Sequence, residues 1–77
     1  MKTPNFVLNK EYTYYLGIHD SKSLPEGSFV NPITPKYVPK HVLEDKKWAG
    51  MNENTGYVFC YTRNGILPIP VEYLREV

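Results

Sequence analysis

The segment from Tyr57 to Ile69 constrains this chain more than any other. Tyr57-Val58-Phe59-Cys60-Tyr61-Thr62 is rich in the β-branched and aromatic side chains that suit a pleated, half-buried surface. Arg63-Asn64-Gly65 comes next, and Asn-Gly accepts the positive φ angles that a tight hairpin turn demands. Ile66-Leu67-Pro68-Ile69 then returns as the partner strand. Its prolines cannot donate to a ladder, which puts this partner at an edge or a strand end.

Composition points the same way. Seven Pro, five Gly and one Ala make poor helix material, since Ala is the best helix former and Gly and Pro the worst. Seven Tyr, three Phe and one Trp supply large buried areas from few residues. With 77 residues the chain supports one hydrophobic core, so residues 1–77 read as a single domain. A chain of that size buries only about 60% of its unfolded surface, and its stability is expected to be marginal unless a partner adds to it.

Residues 1–10 read as an N-terminal arm or edge strand, with Pro4 breaking any early helix and Phe6-Val7-Leu8 as the apolar part. From Glu11 to Ile18 the side chains of Tyr12, Tyr14, Leu16 and Ile18 alternate onto one face, as a half-buried strand requires. His19 to Gly27 reads as a polar loop. It is closed by Leu24-Pro25-Glu26-Gly27 as a type I turn with Gly at the fourth corner. Ser28 to Asn31 is a short strand. Pro32 and Pro35 confine the next residues, through Tyr37 and Val38, to an edge or an extended coil. Residues 39–48 are the one helical stretch. Pro39 stands at the first helical position, Val42 and Leu43 form the apolar side, and Gly50 is the stop. Pro70 to Leu74 forms a C-terminal 3-10 turn. Four to five short strands with one short helical turn predict a mostly β domain, a small closed or half-open barrel without exposed sheet edges.

Tyr12-Thr13-Tyr14, the long polar loop after it, Trp48, and the stretch Gly65 to Leu74 with Pro70 and Tyr73 three apart resemble the SH3 family. The resemblance implies an SH3-like barrel in which Tyr12, Tyr14, Trp48, Pro70 and Tyr73 line an aromatic groove for an extended ligand. Flat aromatic ridges grip a preformed polyproline II helix at low entropic cost. The segment from Thr34 to Trp48 has no counterpart in a minimal SH3 domain.

No constellation for catalysis emerges, and the chain reads as a non-enzyme. Cys60 lies mid-strand, where a thiol behaves as a small hydrophobe. His19 and His41 are the only imidazoles that could serve as a base, and both lie in polar segments. Of His19, Asp20, His41, Asp45 and Cys60, only His41 and Asp45 have a short metal-ligand spacing, and a lone pair is no metal site. The glycines are scattered singly, so no phosphate loop forms and no cofactor is expected. One cysteine rules out an intrachain disulfide. No apolar run reaches the ~18 residues a membrane span needs, and none marks a signal peptide. A cytoplasmic protein is expected, or one assembled in the host cytoplasm if phage-encoded.

Nine basic against eight acidic residues leave a net charge of +1, without the basic excess of most nucleic-acid binders. Seven tyrosines exceed what so small a core can bury, so several are expected at the surface, where tyrosine serves as a binding hot spot. Lys outnumbers Arg and Ala is nearly absent, usage typical of AT-rich coding genomes such as those of many bacteriophages and low-GC bacteria. The leading expectation is therefore a protein–protein interaction module, partnered by another protein or by copies of itself, as in a larger assembly such as a phage particle. One alternative is a single-stranded nucleic-acid binder. There Lys36, Lys40, Lys46, Lys47 and Arg63 would meet phosphates, and Tyr15, Tyr37 or Trp48 would stack bases. The other is a peptide or small-molecule site in the aromatic groove.

Overall fold

Side-chain alternation and proline placement set the architecture of the chain, which a computed structural model describes over residues 6–77. The expectations for residues 1–5, the helix-breaking role of Pro4 among them, lie outside the described residues. Seven strands run in order: β1 (Phe6–Leu8), β2 (Tyr12–Gly17), β3 (Asp20–Leu24), β4 (Phe29–Pro32), β5 (Tyr57–Thr62), β6 (Gly65–Pro70) and β7 (Leu74–Glu76). One helical turn, α1 (Lys40–Leu43), and 3-10 turns at Pro35–Tyr37, Lys46–Trp48, Glu53–Thr55 and Val71–Tyr73 complete the chain. The domain is mostly β, as composition predicts.

The strands form an antiparallel sheet in the order β6-β5-β4-β1-β7 and a separate hairpin, β2-β3. Seven strands thus replace the expected four to five, and the expected closure is not seen. Among the described residues no sheet is closed, because β6 and β7 end the ladder, each paired on one side alone. Pro68 and Pro70 in β6 lack backbone donors, which suits β6 to an unpaired edge.

Phe6–Leu8 is not the edge strand expected. It lies between β4 and β7, with Phe6 opposite Val30 and Leu8 opposite Leu74. Leu8 is fully buried. The expected loop from His19 to Gly27 contains a strand instead. Asp20, Ser21, Lys22 and Ser23 all face solvent, so nothing in their polarity marks a strand, yet β2 satisfies their backbone. The turn after it is shifted by one residue. The Ser28 N–H donates to the Pro25 carbonyl at 3.1 Å, and Gly27 takes φ +85° at the third corner, the type II arrangement.

Residues 35–37 coil into a 3-10 turn where an extended run was expected, and the helical stretch 39–48 divides in two. Pro39 is the cap of α1, one position earlier than anticipated. The divide falls at Asp45, whose Oδ1 accepts the Lys47 N–H at 2.9 Å and so starts the turn Lys46–Trp48. Short polar side chains at such positions compete with a continuing helix. Val42 is buried but Leu43 is not.

The β5-β6 hairpin runs in unbroken register from Tyr57↔Pro70 to Thr62↔Gly65. Only Gly65, at φ +103°, takes a positive φ there, while Asn64 does not. A type I′ turn would need positive φ at both central residues, so this turn is of the kind that ends in a left-handed glycine. The core gathers Leu8, Leu24, Val30, Cys60 and Ile69, all fully buried, around Tyr12, Tyr14, Trp48 and Leu67. Each fully buried aliphatic side chain contributes roughly 1.5–3 kcal/mol.

Candidate functional site

Alternation along β2 points Tyr12 and Tyr14 to the same side, and tertiary packing extends the row at both ends. Tyr12 and Tyr14 stack with ring centroids 6.0 Å apart. Trp48 meets Tyr14 edge-on at 6.3 Å, and Tyr73 meets Tyr12 edge-on at 5.5 Å. Such offset and edge-to-face pairs are the favoured geometries of aromatic rings. The row Trp48–Tyr14–Tyr12–Tyr73 is therefore continuous and holds four of the five residues expected at the site.

Two hydrogen bonds lock it. The Tyr12 hydroxyl donates to the Pro68 carbonyl at 2.8 Å, and Asn64 Nδ2 donates to the Tyr14 hydroxyl at 2.9 Å. Burial, reinforced by the neighbouring Tyr57, Tyr73 and Tyr14, pushes the Tyr12 phenol up to about 12, so it stays protonated at neutral pH.

The row is not one open groove. Tyr12, Tyr14 and Trp48 expose only 8, 4 and 7% of their surface and act chiefly as core. Tyr73 and Pro70 are half-buried and present more of themselves to solvent. With Tyr12 and Tyr57 they wall an open groove of about 640 Å³, completed by Gly56 and Glu72. Tyr14 and Trp48 belong to a second groove of about 320 Å³, beside Lys22, His41 and Lys47. The expected five residues are brought together, but split over two depressions.

Tyr57 is the member that sequence reasoning missed. Its signal lay in the hairpin register, for counting back from Thr62↔Gly65 places Tyr57 opposite Pro70. The 3-10 turn carrying Tyr73 is tied down from both sides. The Val71 N–H donates to the Gly56 carbonyl at 2.8 Å. The Asn9 N–H donates to the Tyr73 carbonyl at 2.9 Å, and Asn9 Nδ2 to the Glu72 carbonyl at 2.7 Å. Gly56 itself closes a short turn capped by Asn52, whose Oδ1 accepts the Asn54 N–H. Lys10 Nζ lies 4.5 Å from the centre of the Tyr73 ring, a cation–π contact at the rim.

The basic residues are spread out. Lys36, Lys40, Lys46 and Lys47 are exposed on the segment between β4 and β5, and Arg63 is exposed on the β5-β6 turn. Lys47 pairs with Asp45 at 3.3 Å. The Lys47 N–H, and then its ammonium, hold the Asp45 carboxyl below its usual range. Of the rings expected to stack bases, Trp48 offers almost no face, whereas Tyr15 and Tyr37 are exposed.

Cys60 is wholly buried, and burial pushes its thiol up to about 12, far from a reactive thiolate. Among the described residues no three of His, Cys, Asp and Glu converge as metal ligands, and no helix is long and apolar enough to cross a membrane. Comparison of the chain with protein-family models, curated proteins and solved structures finds no match.

Proposed function

We propose that this chain is a non-catalytic protein–protein interaction module of SH3-like architecture that takes an extended segment of another protein in the Tyr12–Tyr57–Pro70–Tyr73 groove. The observation that carries this reading is the groove itself. Half-buried aromatic and proline surfaces converge on it, and its floor is preorganised by the Tyr12–Pro68 hydrogen bond and the two anchors of the Val71–Tyr73 turn. Rigid aromatic side chains lose little entropy on binding and dominate interface energetics. The SH3-like architecture is supported by the long hairpin β2-β3, the 3-10 turn between Pro70 and Leu74, and the return of β7 to β1. A role within a larger assembly, such as a phage particle, accords with a near-neutral net charge.

The nucleic-acid alternative draws less support, since Trp48 is buried and the lysines are spread along the segment between β4 and β5. The test is a titration with extended proline- and aromatic-bearing peptides, monitored by backbone amide shifts. Shifts confined to residues around Tyr57, Val71 and Tyr73, lost in Tyr73→Ala, support the reading. An absence of shifts in the groove across the peptide set at millimolar concentration overturns it.

A further inference from the structure

A second surface lies on β4 and β5, apart from the groove. Phe29 and Asn31 alternate with the buried Val30, so they share the face turned away from it. Tyr61 is the cross-strand partner of Asn31. Phe29, Asn31 and Tyr61 line a depression of about 550 Å³ together with Glu26 and Arg63. Asn31 and Tyr61 also line an adjoining one of about 400 Å³ with Tyr37. Phe29, Tyr37 and Tyr61 are 65, 67 and 55% exposed, three large side chains gathered around these two depressions.

Two further features say what covers it. Asn31 Oδ1 is shut off from solvent and accepts no hydrogen bond among the described residues, an orphan polar group beneath the patch. Glu26 and Arg63 border the same depression with opposite charges, and among the described residues neither has an ion-pair partner. A surface with one acid and one base is complementary to itself under a two-fold rotation, because each Glu26 then meets the Arg63 of the other copy. The net charge of +1 sets little repulsion against two copies meeting.

We propose that the chain self-associates through this face as a two-fold dimer. Phe29 and Tyr61 form the apolar centre, Glu26 and Arg63 pair reciprocally, and the Asn31 amide turns to a donor on the other copy. The groove at Tyr73 stays open in such a dimer, so the two readings stand or fall separately.

Sedimentation velocity of the full chain over micromolar to millimolar concentrations tests this. A species of twice the 9.0 kDa monomer mass is expected. Glu26→Arg and Arg63→Glu, each alone, weaken association about tenfold or more, since like charges then face each other. An equimolar mixture of the two variants restores it, because every reversed side chain then meets an opposite charge. Tyr61→Ser abolishes dimer formation while circular dichroism and Trp48 fluorescence report a native fold. Tyr15→Ser, at an exposed tyrosine on β2, changes nothing. A wild-type protein that is monomeric throughout overturns the proposal. So does a Tyr61→Ser variant that is folded and dimerises normally, or a mixture of the charge variants that stays dissociated.

Discussion

Replacing Tyr12 by Phe deletes one oxygen from the junction between core and groove. That oxygen donates at 2.8 Å to the Pro68 carbonyl on β6, in buried surroundings. Without the donor the carbonyl loses a partner inside the domain, a loss that costs about 1–3 kcal/mol in such settings. A domain of this length shifts its midpoint by about 4–8 °C per kcal/mol, so a fall of several degrees is expected. The same oxygen carries a pH signature. The Tyr12 phenol ionises near 10.0 in an unfolded chain and near 12 in the fold, raised by burial. Its contribution to stability is therefore fully present below pH 10 and is lost as pH rises toward 12. The slope is at most about 1.4 kcal/mol per pH unit, and solvent screening brings the loss to about 1–2 kcal/mol over the window. Cys60, raised from 9.0 to about 12 by burial, adds a loss of the same sign that starts a unit earlier. Urea unfolding read by Trp48 fluorescence, at steps from pH 7 to pH 12, measures both effects. Wild type is expected to be the more stable at pH 7, and the two curves to converge between pH 10 and 12. Equal stabilities at pH 7, or a wild-type advantage that persists undiminished to pH 12, would refute the buried hydrogen bond.

The same geometry sets other outcomes. Native Cys60 should react with a thiol reagent orders of magnitude more slowly than in urea, since it is wholly buried with a raised pKa; a fast native reaction contradicts the burial. Gly65→Ala should cost roughly 1 kcal/mol through its φ of +103°, because no heavy atom stands within 4 Å of the added methyl. Gly17→Ala meets no such backbone demand and no close neighbour, so denaturation should find it neutral or stabilised by up to about 1 kcal/mol. Ile18→Lys, at a side chain 94% exposed on the β2-β3 turn, should change stability by no more than about 0.5 kcal/mol, and a larger loss would mean the tip is covered.

The aromatic row shows how a site is partly legible from residues alone. Alternation puts Tyr12 and Tyr14 on one face, and it is the SH3 resemblance that groups them with Trp48, Pro70 and Tyr73. Tyr57 escapes notice because it reads only as the first residue of a strand, although the hairpin register already sets it opposite Pro70. The division of the row is not legible. How much of each ring reaches solvent depends on what lies against it, and for Tyr14 that is Trp48, carried on a 3-10 turn from another part of the chain.

What the amino-acid order decided by itself was local. The β5-β6 hairpin, its turn at Asn64-Gly65, the shared face of Tyr12 and Tyr14 and the C-terminal 3-10 turn all follow from neighbours within a few residues, through propensity, alternation and glycine's access to positive φ. Only the tertiary structure decided the rest. Phe6–Leu8 became an interior strand because β4 and β7 flank it, and nothing in three apolar residues names such distant partners. Asp20–Ser23 became a strand because β2 supplies hydrogen bonds that their polar side chains do not advertise. The sheet stayed open because two prolines in β6 and a three-residue β7 leave its ends unpaired. The hydrophobic effect rewards burial without naming the partner. The pairing, and with it the exposed face of Phe29, Asn31 and Tyr61, is settled only when the whole chain has folded.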